Sequence, residues 1–247
     1  MDYSLYGKKA LVTGSSRGIG SAIALELARG GADVIVHCSK PGAKADNIAD
    51  QIKSMGRKSE VIVADLTNPE KTIELAEKAA GVDILVLNAS MQIRKPWQEI
   101  TVSEYIMQTN CNYLSSLLLM QRLSVPMQKK KWGRIVAIGS VQERKPHPQM
   151  LVYSSSKCAQ TGLVQSLAVQ LAKDGITVNT VAPGVIYTDR NIEALSNPEY
   201  AKQVTDSIPA GFYGQKEDIT GTVRLLCSDF GRYITGQNIF IDGGKSL

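Results

Sequence analysis

The 247-residue chain has no apolar run near the ~20 residues that cross a bilayer. Its longest apolar-rich stretches, such as Val82–Leu87 and Leu117–Met120, fall far short, and Met1–Lys9 carries no run of signal-peptide length. Glycine (21) and proline (nine) are too few and too scattered for a collagen-like or low-complexity chain. There are four cysteines, Cys38, Cys111, Cys158 and Cys227, widely spaced and without a C-x-x-C pair. They read as small buried apolar residues in a reducing, cytoplasmic setting. The two histidines, His37 and His147, stand in no ligand spacing, so no metal site is expected. The net charge is only +5, with both signs interspersed, which leaves no nucleic-acid footprint. A small molecule, rather than nucleic acid or membrane, is the partner these absences leave.

What is present is an alternation of short apolar runs and amphipathic segments. Strands are expected at Lys9–Thr13, Asp33–Cys38, Glu60–Ala64, Val82–Leu87, Arg134–Ile138, Thr177–Val181 and Asn238–Ile241. Helices are expected at Ile19–Arg29, Ala43–Met55, Pro69–Ala80, Ser103–Lys129, Tyr153–Lys173, Ile192–Ser207 (interrupted at Pro198) and Lys216–Cys227. Continuously apolar strands require cover on both faces. With right-handed crossovers this implies an α/β, Rossmann-type doubly wound parallel sheet. No repeat or linker divides the chain, so residues 1–247 read as a single domain.

The first strand runs into Thr13-Gly14-Ser15-Ser16-Arg17-Gly18-Ile19-Gly20, and a helix follows at once. Gly14 permits a tight turn, Gly18 a close approach to a pyrophosphate, and Gly20 close helix–sheet packing. The free N–H groups of the helix start would face the anion. The second strand ends His37-Cys38-Ser39-Lys40, without the acid that would bind a ribose 2′-hydroxyl. Arg17, Ser39 and Lys40 suit a 2′-phosphate, which favours NADP, with NAD as the alternative. Asp65, after the third strand, either accepts from an adenine amino group or caps the following helix.

Tyr153 and Lys157 stand at i and i+4 on one helix face. A phenol with a pKa near ~10 is a poor proton carrier at neutral pH, and an adjacent ammonium lowers it. That pairing suits proton transfer.

With these residues the chain resembles the short-chain dehydrogenases/reductases, and among them the 3-oxoacyl-[acyl-carrier-protein] reductases and the sugar and polyol dehydrogenases. The likeness rests on Thr13–Gly20, Asn88-Ala89, Asn110, Ser140, Tyr153, Lys157 and Pro183-Gly184, in order over nearly the whole length. It implies Tyr153 as general acid and base, Ser140 on the substrate oxygen, and Lys157 on the nicotinamide ribose. Asn110 would hold a water linking Lys157 to solvent. The implied cofactor set is Gly14, Ser16, Arg17, Gly18, Ile19, Gly20, Ser39, Lys40, Asp65, Leu66, Asn88, Ala89, Tyr153, Lys157, Pro183, Gly184, Val185 and Thr188. One departure is Leu87-Asn88-Ala89-Ser90 where the family reads N-N-A-G; Ser90 adds a hydroxyl near the cofactor. A homotetramer is also implied.

Three loops offer candidate substrate contacts: Gln92 and Arg94; Gln142, Arg144 and His147; Arg190 with Asn191. Their donors point to a small polar substrate such as a sugar, polyol or sugar acid, with Met91, Met150 and Ile186 available as an apolar wall. The alternatives are 3-oxoacyl reduction, with Lys129–Lys131 as a carrier-docking cluster, and an NADP-sensing binding protein without turnover.

Overall fold

Successive residues of the central strands enter opposite cores, as a parallel sheet covered on both faces requires. Ala10 and Val12 face one core and Leu11 the other; Ile84 and Val86 oppose Leu85, and Val136 and Ile138 oppose Ile135 and Ala137. The computed structural model describes residues 3–189 and 191–247, with Glu193 and Ala194 traced by backbone alone. Its strands are β1 (Lys9–Val12), β2 (Asp33–Cys38), β3 (Ser59–Val63), β4 (Ile84–Leu87), β5 (Gly133–Ile138), β6 (Ile176–Pro183) and β7 (Asn238–Ile241). They form one parallel sheet in the order β3-β2-β1-β4-β5-β6-β7, with Ala10 in register with both Val34 and Ile84.

Helices α1 (Gly18–Arg29), α2 (Ala43–Ser54) and α9 (Glu217–Cys227) cover one face through Ile23, Leu27, Ile52, Val223 and Leu226. The other face is covered by α3 (Pro69–Lys78), α5 (Ser115–Lys130) and α6 (Leu151–Leu171), through Leu75, Leu119, Leu123 and Val164. Each fully buried leucine or isoleucine contributes about 1.5–3 kcal/mol. Pro69 occupies the first turn of α3 and Asn68 caps it, accepting from the Lys71 N–H. The short α7 (Ile192–Leu195) and α8 (Pro198–Asp206) break at Pro198, as anticipated.

The helix expected over Ser103–Lys129 is not continuous. It divides into α4 (Val102–Thr109) and α5, joined by a wide π-helical turn at Asn110–Leu114. The Ser115 and Ser116 hydroxyls bond the Cys111 and Asn112 carbonyls there. One extra residue in a turn rotates the side chains that follow, which matters for the site below.

One surface expectation needs revising. Cys38, Cys111 and Cys227 are buried, but Cys158 is exposed. In the basic cluster, Lys130 pairs with Asp83 at 2.7 Å and Lys131 with Asp174 at 2.5 Å. Both lie where α5 runs into the beginning of β5. No helix among the described residues is long and apolar enough to cross a membrane.

Candidate active site

The sheet order reverses between β1 and β4, and the connections leaving the two strands part there, opening a crevice at the carboxyl ends of the strands. A cleft of about 730 Å³ occupies this position.

The glycine-rich turn forms its floor and is held by a dense set of bonds. Gly14 has φ 64°, and an added Cβ would lie 2.9 Å from the Ala89 Cα. At Gly20 a Cβ would come within 2.4 Å of both Asn88 Nδ2 and the Gly14 carbonyl, so glycine is required for α1 to pack this closely. Gly18 differs: its φ is 60°, yet a Cβ there would meet nothing nearer than Thr188 at 3.7 Å. The space it leaves open belongs to the cleft. Arg17 precedes α1 without a side-chain cap, so donors of the first helical turn remain for a ligand anion. Asn88 braces the turn, donating from Nδ2 to the Thr13 and Gly14 carbonyls at 2.8 and 3.0 Å. The Thr13 hydroxyl accepts from the Asn88 and Ala89 N–H groups.

His37 completes this brace, a function its sequence position did not reveal. Its Nδ1 accepts from the Gly14 N–H at 2.9 Å, and its Nε2–H donates to the Ala64 carbonyl at 3.0 Å. Burial lowers its pKa to about 4, against the opposing bond to Ala64, so the ring is neutral at neutral pH.

All eighteen residues implied as cofactor contacts line this one cleft. Asp65 also bonds the Thr67 N–H and hydroxyl in a local turn, and Asn68, not Asp65, caps α3. Asp189 lines the cleft too, but Lys44 engages its carboxylate at 3.1 Å.

The opposite wall carries Ser140, Tyr153 and Lys157. Ser140 follows β5 and starts a short 3₁₀ turn. Its N–H donates to Glu143 Oε1 at 2.8 Å and its Oγ accepts from the Gln142 N–H at 3.2 Å. Accepting through Oγ leaves the hydroxyl proton able to reach a substrate oxygen. Glu143, overlooked in the sequence, is fixed by Thr161 and Asn238, each donating at 2.8 Å. Lys157 is 1% exposed, and its ammonium lies 5.9 Å from the centre of the Tyr153 ring. It donates to the Ile138 carbonyl at 2.7 Å and to Gln160 Oε1 at 3.0 Å.

Asn110 does not take the place expected of it. Its Nδ2 donates to the Thr67 carbonyl at 2.9 Å, and it is not among the cleft residues. Asn112, two residues on and fully buried, is turned toward α6 instead. It accepts from the Met91 N–H and donates to the Met91 carbonyl and to Ser156 Oγ.

Of the candidate substrate contacts, Gln92, Arg94, Gln142 and His147 line the cleft. Arg144 does not: it is exposed, with its guanidinium over the Phe240 ring at 4.0 Å. Arg190 lies outside the described residues. His147 Nδ1 accepts from the Gln149 N–H, so in the neutral ring Nε2 carries the proton. Burial, and then the nearby Arg94, push its pKa down. Met91, Met107, Met150, Ile186, Leu195 and Val204 supply the apolar side. Tyr200 and Lys245 also reach the cleft, contributed by segments that no local motif marked.

A family model described as short chain dehydrogenase matches residues 8–199. The 3-oxoacyl-[acyl-carrier-protein] reductase of Aquifex aeolicus is 35% identical, with 99% of each chain covered. An L-rhamnose 1-dehydrogenase (NADP(+)) of Thermoplasma acidophilum is also 35% identical, over 98% of this chain and 97% of its own. A crystal structure of a 3-oxoacyl (acyl-carrier-protein) reductase from Agrobacterium tumefaciens C58 with NADP bound superposes with a TM-score of 0.94. That protein is 38% identical, over 98% of this chain and 95% of its own. The glycine-turn cleft, its wall of Ser140, Tyr153 and Lys157, and these likenesses across almost the whole length agree: the chain belongs to the short-chain dehydrogenase family.

Proposed function

We propose that residues 1–247 act as one catalytic unit that interconverts a ketone and a secondary alcohol with NADP(H), on a small polar substrate such as a sugar, polyol or sugar acid. The observation that carries this reading is the single cleft that sets Ser140, Tyr153 and Lys157 across from the uncapped glycine turn. The space beside Gly18, the uncapped start of α1, and the cations Arg17 and Lys40 with Ser39 fit a phosphorylated dinucleotide. No acid stands at the end of β2 to oppose a 2′-phosphate.

When bound, the nicotinamide supplies or accepts the hydride. In reduction Tyr153 Oη gives its proton to the substrate oxygen while the Ser140 hydroxyl donates a hydrogen bond to that oxygen. In oxidation Tyr153 takes the proton back. The Lys157 ammonium, 5.9 Å from the centre of the Tyr153 ring, favours the phenolate over the phenol. Gln92, Gln142, Arg94 and the His147 Nε2–H offer donors for hydroxyl or carboxylate groups.

A specific observation also favours the second reading, 3-oxoacyl reduction: the apolar residues of the cleft, which include Met91, Met107, Leu195 and Val204. Against it stands the position of Lys129–Lys131. The cluster sits at the amino ends of the strands, about 20 Å of strand from the cleft, and Lys130 and Lys131 are paired internally. Comparing kcat/KM for 3-oxoacyl thioesters with that for keto-sugars and keto-sugar acids, each with NADPH and NADH, tests the assignment. A clear thioester preference overturns the substrate class, and saturable NADPH binding without any turnover overturns the enzyme reading.

The unit is assigned to the cytoplasm and to a homotetramer. Trp97, Val102, Tyr105, Ile106 and Leu151 are exposed apolar side chains available for such contacts. Light scattering at micromolar concentration checks the oligomer, and a monomer would contradict it.

A further inference from the structure

Gln160 is among the groups that meet the Lys157 ammonium, and no expectation drawn from the motif included it. It lies one helical turn beyond Lys157 on α6 and is 1% exposed. Its Oε1 accepts from Lys157 Nζ at 3.0 Å, and its Nε2 donates to Ser116 Oγ at 2.8 Å. The Ser116 hydroxyl in turn donates to the Asn112 carbonyl at 3.3 Å, so Ser116 is left to accept from the amide. That order of donors and acceptors fixes the amide with its oxygen toward the ammonium. The bonds connect Lys157 to the wide turn at Asn110–Leu114, whose Asn112 side chain grips Met91 and Ser156.

We propose that Gln160 is a positioning residue for Lys157: a neutral acceptor, oriented by Ser116, that holds the buried ammonium beside Tyr153 without cancelling its charge. The proposal rests on the reading of Tyr153 and Lys157 as the proton-transfer pair. An ammonium buried in the protein needs acceptors, and Gln160 Oε1 supplies one beside the Ile138 carbonyl. A carboxylate in the same place would satisfy it equally well and would neutralise the field that lowers the phenol pKa. A neutral amide meets both demands. Apolar packing would meet neither, and a polar side chain with Gln160's burial would be costly if packing were its only role.

The test compares Gln160→Glu, nearly identical in shape, with Gln160→Met, which lacks the acceptor. The first readout needs no cofactor: ultraviolet titration of phenolate in the folded protein, with Tyr153→Phe identifying which step belongs to Tyr153. Gln160→Glu should raise the Tyr153 midpoint by about one pH unit or more, by partial cancellation of the Lys157 charge. Gln160→Met, which adds no charge, should move it much less. The second readout is the pH profile of kcat for oxidation of the best alcohol in the substrate panel. Its rising limb should shift upward in Gln160→Glu, while KM changes less than kcat in both variants.

Arg94, Cys111, His147, Tyr200 and Lys245 line the same cleft as Tyr153, and Glu143 accepts from the Ser140 N–H; these groups are common to all the proteins compared. A Gln160→Glu protein that melts earlier but keeps both the phenol midpoint and the pH profile would show Gln160 to be packing only. If Tyr153→Phe removed no early titration step in the parent protein, the proton-pair reading itself would fall, and the Gln160 proposal with it.

Discussion

The two ends of the sheet treat their polar groups in opposite ways. At the amino ends of the strands, charges close on the chain itself. Asp83 accepts from the Lys9 N–H and pairs with Lys130, and the Arg134 guanidinium donates to the Ser228, Gly133 and Gly175 carbonyls. At the carboxyl ends, the brace of His37, Thr13 and Asn88 satisfies the turn's outer bonds. It leaves the start of α1, Arg17, Lys40, Ser140 and Tyr153 along an open cleft. Both ends are polar. One is stitched shut and stabilises the fold; the other is held in shape by buried neighbours while its own groups are kept for a ligand.

The sharpest way to separate the ends is to remove one atom from the cleft. Tyr153→Phe should lower kcat by roughly two to four orders of magnitude while NADPH affinity stays within a few-fold, as read by fluorescence titration. Retention of most of kcat would remove the chemistry from this end.

Acid should find the brace next. The folded pKa of His37, about 4, lies below the unfolded value of 6.5, so unfolded chains take up the proton first. The stability its neutral ring contributes is present above pH ~6.5 and is lost as pH falls toward 4, up to about 3 kcal/mol. Denaturant midpoints over that range should show the loss, and His37→Gln should flatten it. An equally steep decline in the variant would assign the effect to other groups.

A smaller change is expected from Cys38→Asp, at the end of β2 in the cleft wall. An acid there repels a 2′-phosphate and offers an acceptor to a 2′-hydroxyl, and about tenfold of the NADPH preference should move to NADH. An unchanged ratio of dissociation constants would show that the ribose lies elsewhere.

The smallest effect belongs to the closed end. Lys130→Ala removes a pair whose lysine is about half exposed and leaves Asp83 its bond from the Lys9 N–H, and should cost about 1 kcal/mol with kcat unchanged. A loss of activity on thioester substrates alone would instead point to carrier docking there.

How far the chain could be read in advance follows from the range of the forces involved. The strand–turn–helix at Thr13–Gly20 and the Tyr153–Lys157 pair depend on residues a few positions apart, so spacing was enough to find them. The apolar strands were equally legible, because burial on both faces leaves no alternation to misread. The wide turn at Asn110–Leu114 was not: without it, regular helical spacing turned attention to Asn110, and with it Asn112 reaches Met91 and Ser156. Arg144 failed for a related reason, since a loop residue goes to its best partner, here the Phe240 ring of β7.

The order of elements, the glycine-rich turn and the juxtaposition of Tyr153 and Lys157 were therefore settled by local chemistry and hydrophobic pattern. Which asparagine supports α6, that His37 braces Gly14, and that Gln160 joins Lys157 to Ser116 were settled only in three dimensions. Gly14 and His37 are 23 residues apart, and Gln160 and Ser116 are 44. A hydrogen bond forms within about 3 Å, so contacts across such separations exist only once the sheet and its helices have brought the segments together.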